Sequence, residues 1–431
     1  MGHRGTPGRP GPSASPGPES LKIGWWRLRS RSGRVPLPPG FGIIWTTVAI
    51  DLVGFGIVLP ILPIYARRFH TTPFQATLLV AAFSAASFVL SPVWGRVSDR
   101  FGRKPVLLVS LAGTAVGSLL TGLAGGFALL LVGRLIDGAS GASVSVAQAA
   151  AADLSGPSDR ARLFGLLGAA FGVGFVAGPA LGSLAALGGP RLPFFLAAGI
   201  ATVNTAVAVR RLPETRPVGP HRVPGPATPR PLRAWADARG LAPLLVVAFC
   251  ALVAFSGFEA TFALFGQRHL GLGIASAAAV FTAVGAVIVV VQGGLVYRAV
   301  DRLGEVQTLV VGLFADAAGL ALLSGARSWV LAAPALLALT VGQGLVQTTM
   351  VTILAARSDP ARRGGVLGAQ QSAGGLARVV GPALGGALLG SRASGDPYLV
   401  GCALSLVAAG LVVATAGGTR HEREPGVQPS G

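Results

Sequence analysis

The chain has 431 residues, of which 52% are hydrophobic and only 12% charged, with a mean hydropathy of +0.65. Soluble domains carry about a quarter charged residues, so a soluble enzyme or cytosolic binding module is excluded. The formal net charge of +19 is not a nucleic-acid footprint either, because no polar domain is left to hold a duplex. In chain order, residues 1–20 are rich in Gly, Pro and Ser and read as disordered. The stretch 22–34, KIGWWRLRSRSGR, mixes two Trp with five basic residues and suits the inner leaflet. Apolar runs long enough to cross hydrocarbon, about 20 residues each, then fall at 41–66, 73–95, 105–124, 126–150, 162–185, 191–209, 241–265, 273–296, 305–324, 327–351, 364–389 and 397–417. The first is too long for a cleaved signal and stays as span one.

Basic residues set the orientation. With both termini inside, 27 of the 35 Lys and Arg fall on the cytoplasmic side, six in outer loops and two, Arg134 and Arg378, within spans. The positive-inside rule then places both ends in the cytoplasm of a cell whose inner (plasma) membrane holds the protein. Anionic lipid headgroups are partners for the inner-loop charge.

The longest polar connection, 210–240, is full of Pro and Arg and separates two blocks of six. The expected units are a tail (1–40), a bundle (41–209), the linker (210–240), a second bundle (241–417) and a tail (418–431). The blocks share landmarks. Gly178-Pro179 and Gly381-Pro382 are 203 residues apart; Asp99-Arg100 and Asp301-Arg302 are 202 apart. The implied fold is all-α, with twelve membrane helices in two pseudo-symmetric six-helix bundles that rock about a central site. No nucleotide-binding P-loop sequence occurs, so energy has to come from an ion gradient or the solute itself. The five His lie outside the predicted spans, which rules out an intramembrane His-metal cluster, and no cofactor or enzymatic activity is expected. One chain holds both halves, so a monomer suffices.

Three ionisable groups reach similar depths near mid-membrane: Asp51 in span one, and Arg134 and Asp137 in span four. Buried charges there have to be paired or wetted. Arg134 and Asp137 are spaced i,i+3 and can pair. Two readings stand: self-neutralised glue between helices, or a proton-coupling centre whose acid alternates between charged and neutral. Glu259 and Arg378 also fall within spans, as does Asp316. Pro60 and Pro63 should loosen span one. Phe255, Phe258, Phe262 and Phe265 of span seven face lipid by default, or offer an apolar wall to a drug.

Four stretches carry a family resemblance: DLVGFGIVLPILPIYA (51–66), the loop GRVSDRFGRKPV (95–106), GRLIDGASGA (133–142) and GVGFVAGPALG (172–182). Together they resemble major facilitator superfamily transporters, in the twelve-span drug:proton antiporter group that includes tetracycline exporters. The resemblance implies export of a small amphipathic solute in exchange for protons. It makes Gly95, Asp99, Arg100, Gly102, Arg103 and Lys104 an inner gate, with Asp99 meeting the amino end of span eleven. It makes Gly172, Gly178, Pro179 and Gly182 an antiporter motif, bending helices between the halves. It puts spans seven and eleven, hence Glu259 and Arg378, on the cavity wall, and span nine with Asp316 outside it. The family has an amide where Asp137 stands. A transporter of an endogenous metabolite or sugar is the alternative; a non-transporting receptor on the same scaffold is a third.

Overall fold

The computed structural model describes residues 2, 37–155, 159–216, 241–359, 363–390 and 395–421. The basic segment 22–34, most of the linker and the last ten residues lie outside the described residues. Residues Gly40–Gly431 form one compact unit. Among the described residues, twelve helices are long and apolar enough to span a membrane. They run Phe41–Arg67, Pro73–Phe101, Arg103–Leu123, Phe127–Leu154, Arg162–Leu187, Leu192–Arg211, Ala242–His269, Ile274–Leu303, Glu305–Ser324, Trp329–Arg357, Gly365–Leu389 and Asp396–Thr415, here spans one to twelve.

Local chemistry explains several ends and breaks. Span two starts on a capping box: the Thr72 hydroxyl accepts from the Gln75 N–H at 3.2 Å, and the Gln75 side chain accepts from the Thr72 N–H at 2.9 Å. Span one breaks between Val58 and Leu62. There Pro60 lacks an N–H and crowds the preceding turn, while Pro63 sits in the first turn of the next segment, where no donor is needed. Span four breaks between Ala139 and Ser143, where Gly141 weakens the helix. Span eight carries a π turn over Val291–Leu295, around Gly293-Gly294.

Helix contacts repeat between the halves. Span one packs on five and six, and seven on eleven and twelve; three packs on four and six, and nine on ten and twelve. Two with eleven and five with eight are the main pairings that join the bundles, and span seven also touches spans one and two. On the side away from the termini the bundles share one core, which runs from Ile57–Ala66 through Phe194 to Phe258, Phe281 and Leu339. There Ser183 of span five donates to the Ala275 carbonyl of span eight at 2.8 Å. Toward the termini the cores are separate, one around Phe41, Leu107 and Leu163 and another around Leu245, Leu313 and Met350. The molecule is therefore closed on the far side, and its halves part on the termini side.

Two expectations change. Phe255, Phe258, Phe262 and Phe265 are all buried, and three of them make ring contacts with Phe281 or Tyr398 inside the core, one stacked and two edge-on; helix neighbours, not lipid, cover this face. The Gly-Pro glycines pack within each bundle rather than between bundles. A Cβ on Gly178 would lie 2.6 Å from the Gly56 Cα, and one on Gly381 would lie 2.6 Å from the Val253 carbonyl. Because backbone stands on both sides, Gly178→Val should cost about 1–3 kcal/mol through overpacking. Gly165→Val, which meets nothing within 4 Å, should melt like the wild type in detergent; equal melting of both variants would refute the close-packing account.

Candidate functional site

The three mid-membrane charges meet. The Arg134 guanidinium donates to the Asp137 carboxylate at 2.7 Å, with side-chain exposures of 3% and 7%. Its other face lies over the Phe83 ring of span two, 4.5 Å from the centroid, a cation–π contact. Asp51 Oδ2 accepts from the Ser143 hydroxyl at 2.5 Å. Asp51 Oδ1 and Arg134 Nε are buried without a hydrogen-bond partner among the described residues. Thr114 of span three lies beside both carboxylates.

The break in span four is built into this cluster. Arg134 and Asp137 lie on the first segment and Ser143 on the second. The backbone groups freed at the break are taken up by side chains. Trp94 donates to the Ala139 carbonyl at 2.6 Å, the Ser110 hydroxyl donates to the Ser140 carbonyl, and the Ala142 N–H donates to Ser110 Oγ at 3.2 Å. A broken helix at membrane depth is tolerable only with such partners. Glycines let the neighbours approach: a Cβ on Gly117 would lie 2.6 Å from the Asp137 Cβ, and one on Gly138 would strike the Phe83 backbone.

Arg134 also lines a pocket of about 40 Å³ between the bundles, together with Phe55, Phe83, Ser84, Phe171 and Phe175 on one side and Ser256, Glu259, Arg378 and Pro382 on the other. Its wall is aromatic and aliphatic, with three charged side chains. Asp51 lies one turn from Phe55 on the termini side, so the acid cluster adjoins the pocket toward the open face. Asp316 is 1% exposed and packs against Gly342 of span ten, not lipid.

The loop residues form a second network on the termini side. Arg103 donates to Asp99 at 2.7 Å, to Ser98 at 2.7 Å and to Asp153 at 2.9 Å. In this form Asp99 is thus paired inside its own bundle. A Cβ on Gly95 would meet nothing within 4 Å, because the halves are apart there. Gly102 has φ +104°, where only glycine is at ease. Glu214, just beyond span six, caps span three: its carboxylate accepts from the Arg103 N–H at 2.9 Å and the Lys104 N–H at 3.1 Å. A Cβ on Gly102 would strike that carboxylate. Arg216 adds a bond to the Arg100 carbonyl at 2.6 Å. Partial burial raises the Glu214 pKa, but the backbone N–H groups of Arg216, Arg103, Lys104 and Thr215 outweigh it and leave the carboxyl below its ordinary value. A lowered folded-state pKa means stability present above the ordinary glutamate value and lost on acidification through the lowered one. Glu214→Gln should cost about 1 kcal/mol at neutral pH and flatten the acid side of a melting-temperature profile. An unchanged profile would remove the cap.

Of the antiporter-motif residues, Gly182 meets the Ile57 backbone and Gly172 faces Val289 of span eight. Sequence reasoning missed Thr114, Ser143, Ser110, Asp153 and Glu214. Small hydroxyls in Gly/Ala-rich helices carry no spacing signal, although the Ser-Gly-Ala-Ser run beside Asp137 marks a break.

Comparisons with known proteins agree with this architecture. The sequence profile of the Major Facilitator Superfamily matches residues 44–382 and 295–429. The chain is 33% identical over 384 residues to the class C tetracycline resistance protein of Escherichia coli, covering 85% of this chain and 94% of that protein. It is 28% identical over 355 residues to multidrug resistance protein 1 of Bacillus subtilis, covering 80% and 88%. Among solved structures, the human organic anion transporter MFSD10 (TETRAN) aligns with a TM-score of 0.65 at 25% identity, covering 87% of this chain and all of that one. Twelve spans in paired six-helix bundles, an inter-bundle pocket and these similarities lead to one conclusion: the chain belongs to the major facilitator superfamily, and is a multi-pass membrane transporter of small solutes related to the tetracycline and multidrug resistance proteins.

Proposed function

We propose that this protein exports a small amphipathic compound in exchange for protons, by alternating access. The observation that carries the reading is the double position of Arg134, which is paired with Asp137 and also lines the inter-bundle pocket opposite Glu259 and Arg378. A solute entering the pocket and a proton entering the acid cluster act on the same guanidinium. A carboxylate beside Arg⁺ changes its proton affinity when water access or the partner changes. The termini face the cytoplasm of an inner-membrane protein, by the basic-residue count, so the open face of this form is the loading face. The bundles of 41–209 and 241–417 rock about the pocket, and a single chain suffices. The loop of Gly95, Asp99, Arg100, Gly102, Arg103 and Lys104 closes that face in the opposite state, with Asp99 released from Arg103 toward span eleven. Gly172, Gly178, Pro179 and Gly182 keep span five close to spans one and eight during the exchange.

Names of relatives make tetracycline the first compound to test. Inverted membrane vesicles with an imposed pH gradient should accumulate tetracycline or another amphipathic drug from a panel, and uptake should collapse when the gradient is dissipated. Gradient-independent uptake would refute proton exchange. Arg378 favours a second reading, export of an endogenous organic anion; competition by simple carboxylates and not by amphipathic drugs would select it.

A further inference from the structure

We infer that the Ser183 hydroxyl is a latch on the far side, holding spans five and eight together while the termini side is open. The inference rests on the alternating-access reading above and names a group that biases its two states. Ser183 lies one turn from the far end of span five, and Ala275 lies in the first turn of span eight. The Ser183 hydroxyl donates to the Ala275 carbonyl at 2.8 Å. Among the described residues it is the one hydrogen bond that crosses between the bundles, and no ion pair crosses. Around it the far-side seal is packing alone: Phe258, Phe281 and Leu339 share the core, and a Cβ on Gly285 would strike the Phe175 carbonyl.

This is not the bond a helical serine makes by default. Hydroxyls here commonly donate to a carbonyl one turn back in their own helix, as those of Thr121, Thr261, Thr282 and Thr340 do. Others reach a neighbouring helix but stay within their bundle, as Ser110 and Ser256 do. Ser183 also has a carbonyl one turn back, that of Pro179. A hydroxyl has one hydrogen to give, and in this form Ser183 gives it to the other bundle. When the far ends part, the hydroxyl can turn to Pro179, so no donor is orphaned. The latch is then worth the difference between two hydrogen bonds, which is small. A transporter needs a small bias, because both faces open in each cycle and a solute or proton shifts the balance only by its own preference between states.

The matching seam lacks the latch. The offset of 203 that relates the two Gly-Pro pairs puts Gly386 of span eleven at the place of Ser183. Gly386 packs against Thr77 of span two. The Thr77 hydroxyl, however, turns back to the Pro73 and Phe74 carbonyls of its own helix, at 3.3 and 3.1 Å. Spans two and eleven therefore touch at this level with no bond across, and the latch belongs to spans five and eight. Gly172, eleven residues nearer the termini side, faces Val289 of span eight. That contact keeps the two helices together as a pivot while their far ends separate.

The test uses the full chain in lipid nanodiscs, in a background of Cys250→Ala and Cys402→Ala. Spin labels go on Leu123→Cys, at the far end of span three, and Val330→Cys, at the far end of span ten, both exposed. Double electron–electron resonance then reads the fraction of molecules with the far side open, at acidic and neutral pH, with and without tetracycline. Ser183→Ala should raise the ratio of far-open to far-closed molecules about two- to threefold, the low end of what one hydrogen bond is worth. Thr205→Ala removes a hydroxyl that bonds within span six, to the Ala201 carbonyl at 2.7 Å, and should leave the ratio at the wild-type value. A ratio unchanged in Ser183→Ala would overturn the latch and leave alternating access standing, as would an equal rise in Thr205→Ala. A far side that opens under no condition, in wild type or variant, would refute alternating access and the latch with it.

Discussion

Asp51→Asn is expected to stop gradient-driven flux while leaving the protein folded. Asparagine keeps the shape of the side chain, and its amide oxygen can still accept from Ser143, which approaches Asp51 at 2.5 Å in the wild type. It cannot ionise. A site that must take up and release a proton in every cycle then loses its acid, and removal of a positioned proton-transfer group costs roughly 10²–10⁴-fold in rate. Exchange of solute at equal pH on both sides needs no net proton movement and should survive far better than driven transport. The measurement is paired: driven uptake and equilibrium exchange in the same vesicles, with thermal melting as the control. Driven flux equal to wild type would take Asp51 out of the coupling centre.

The second large effect is on stability. Arg134→Leu should destabilise the fold by about 3–5 kcal/mol, because it leaves the Asp137 carboxylate buried without its partner. The pair is nearly inaccessible, with side-chain exposures of 3% and 7%, so water cannot replace the lost guanidinium. The double variant Arg134→Leu/Asp137→Leu should regain most of that stability, since a buried ion pair and a hydrophobic pair of similar volume are often close in energy. It should not regain transport. Thermal unfolding of the two variants decides the matter: equal melting of Arg134→Leu and wild type would mean that Asp137 is not held as a buried carboxylate that depends on Arg134. Recovery of driven uptake in the double variant would make the pair structural glue only.

The span boundaries read from apolar length match the helices closely; the ninth is 305–324 by both routes. Length and hydropathy suffice there, because a bilayer accepts little else than a long apolar helix. Helix ends are less legible. Spans two, four and ten run six, four and six residues beyond the apolar runs, to Phe101, Leu154 and Arg357, because polar residues past the hydrocarbon continue the hydrogen-bonded ladder. The break in span four was only hinted at by the Ser-Gly-Ala-Ser run. It depends on Ser110 and Trp94 from other helices being there to take up the freed backbone groups.

Composition, apolar length and the distribution of Arg were enough to establish a twelve-span membrane protein with a duplicated plan, and depth alone marked Asp51, Arg134 and Asp137 as costly charges needing partners. Those are properties of single segments in a known solvent. The choice of partners is a property of helix packing. Asp51 meets Ser143 across 92 positions in sequence and Asp99 turns to Arg103. Glu214 reaches back 111 residues to cap span three, and the Phe residues of span seven face helices rather than lipid. No periodicity within one helix can specify these contacts, because each is set by the rotation and depth of two helices at once.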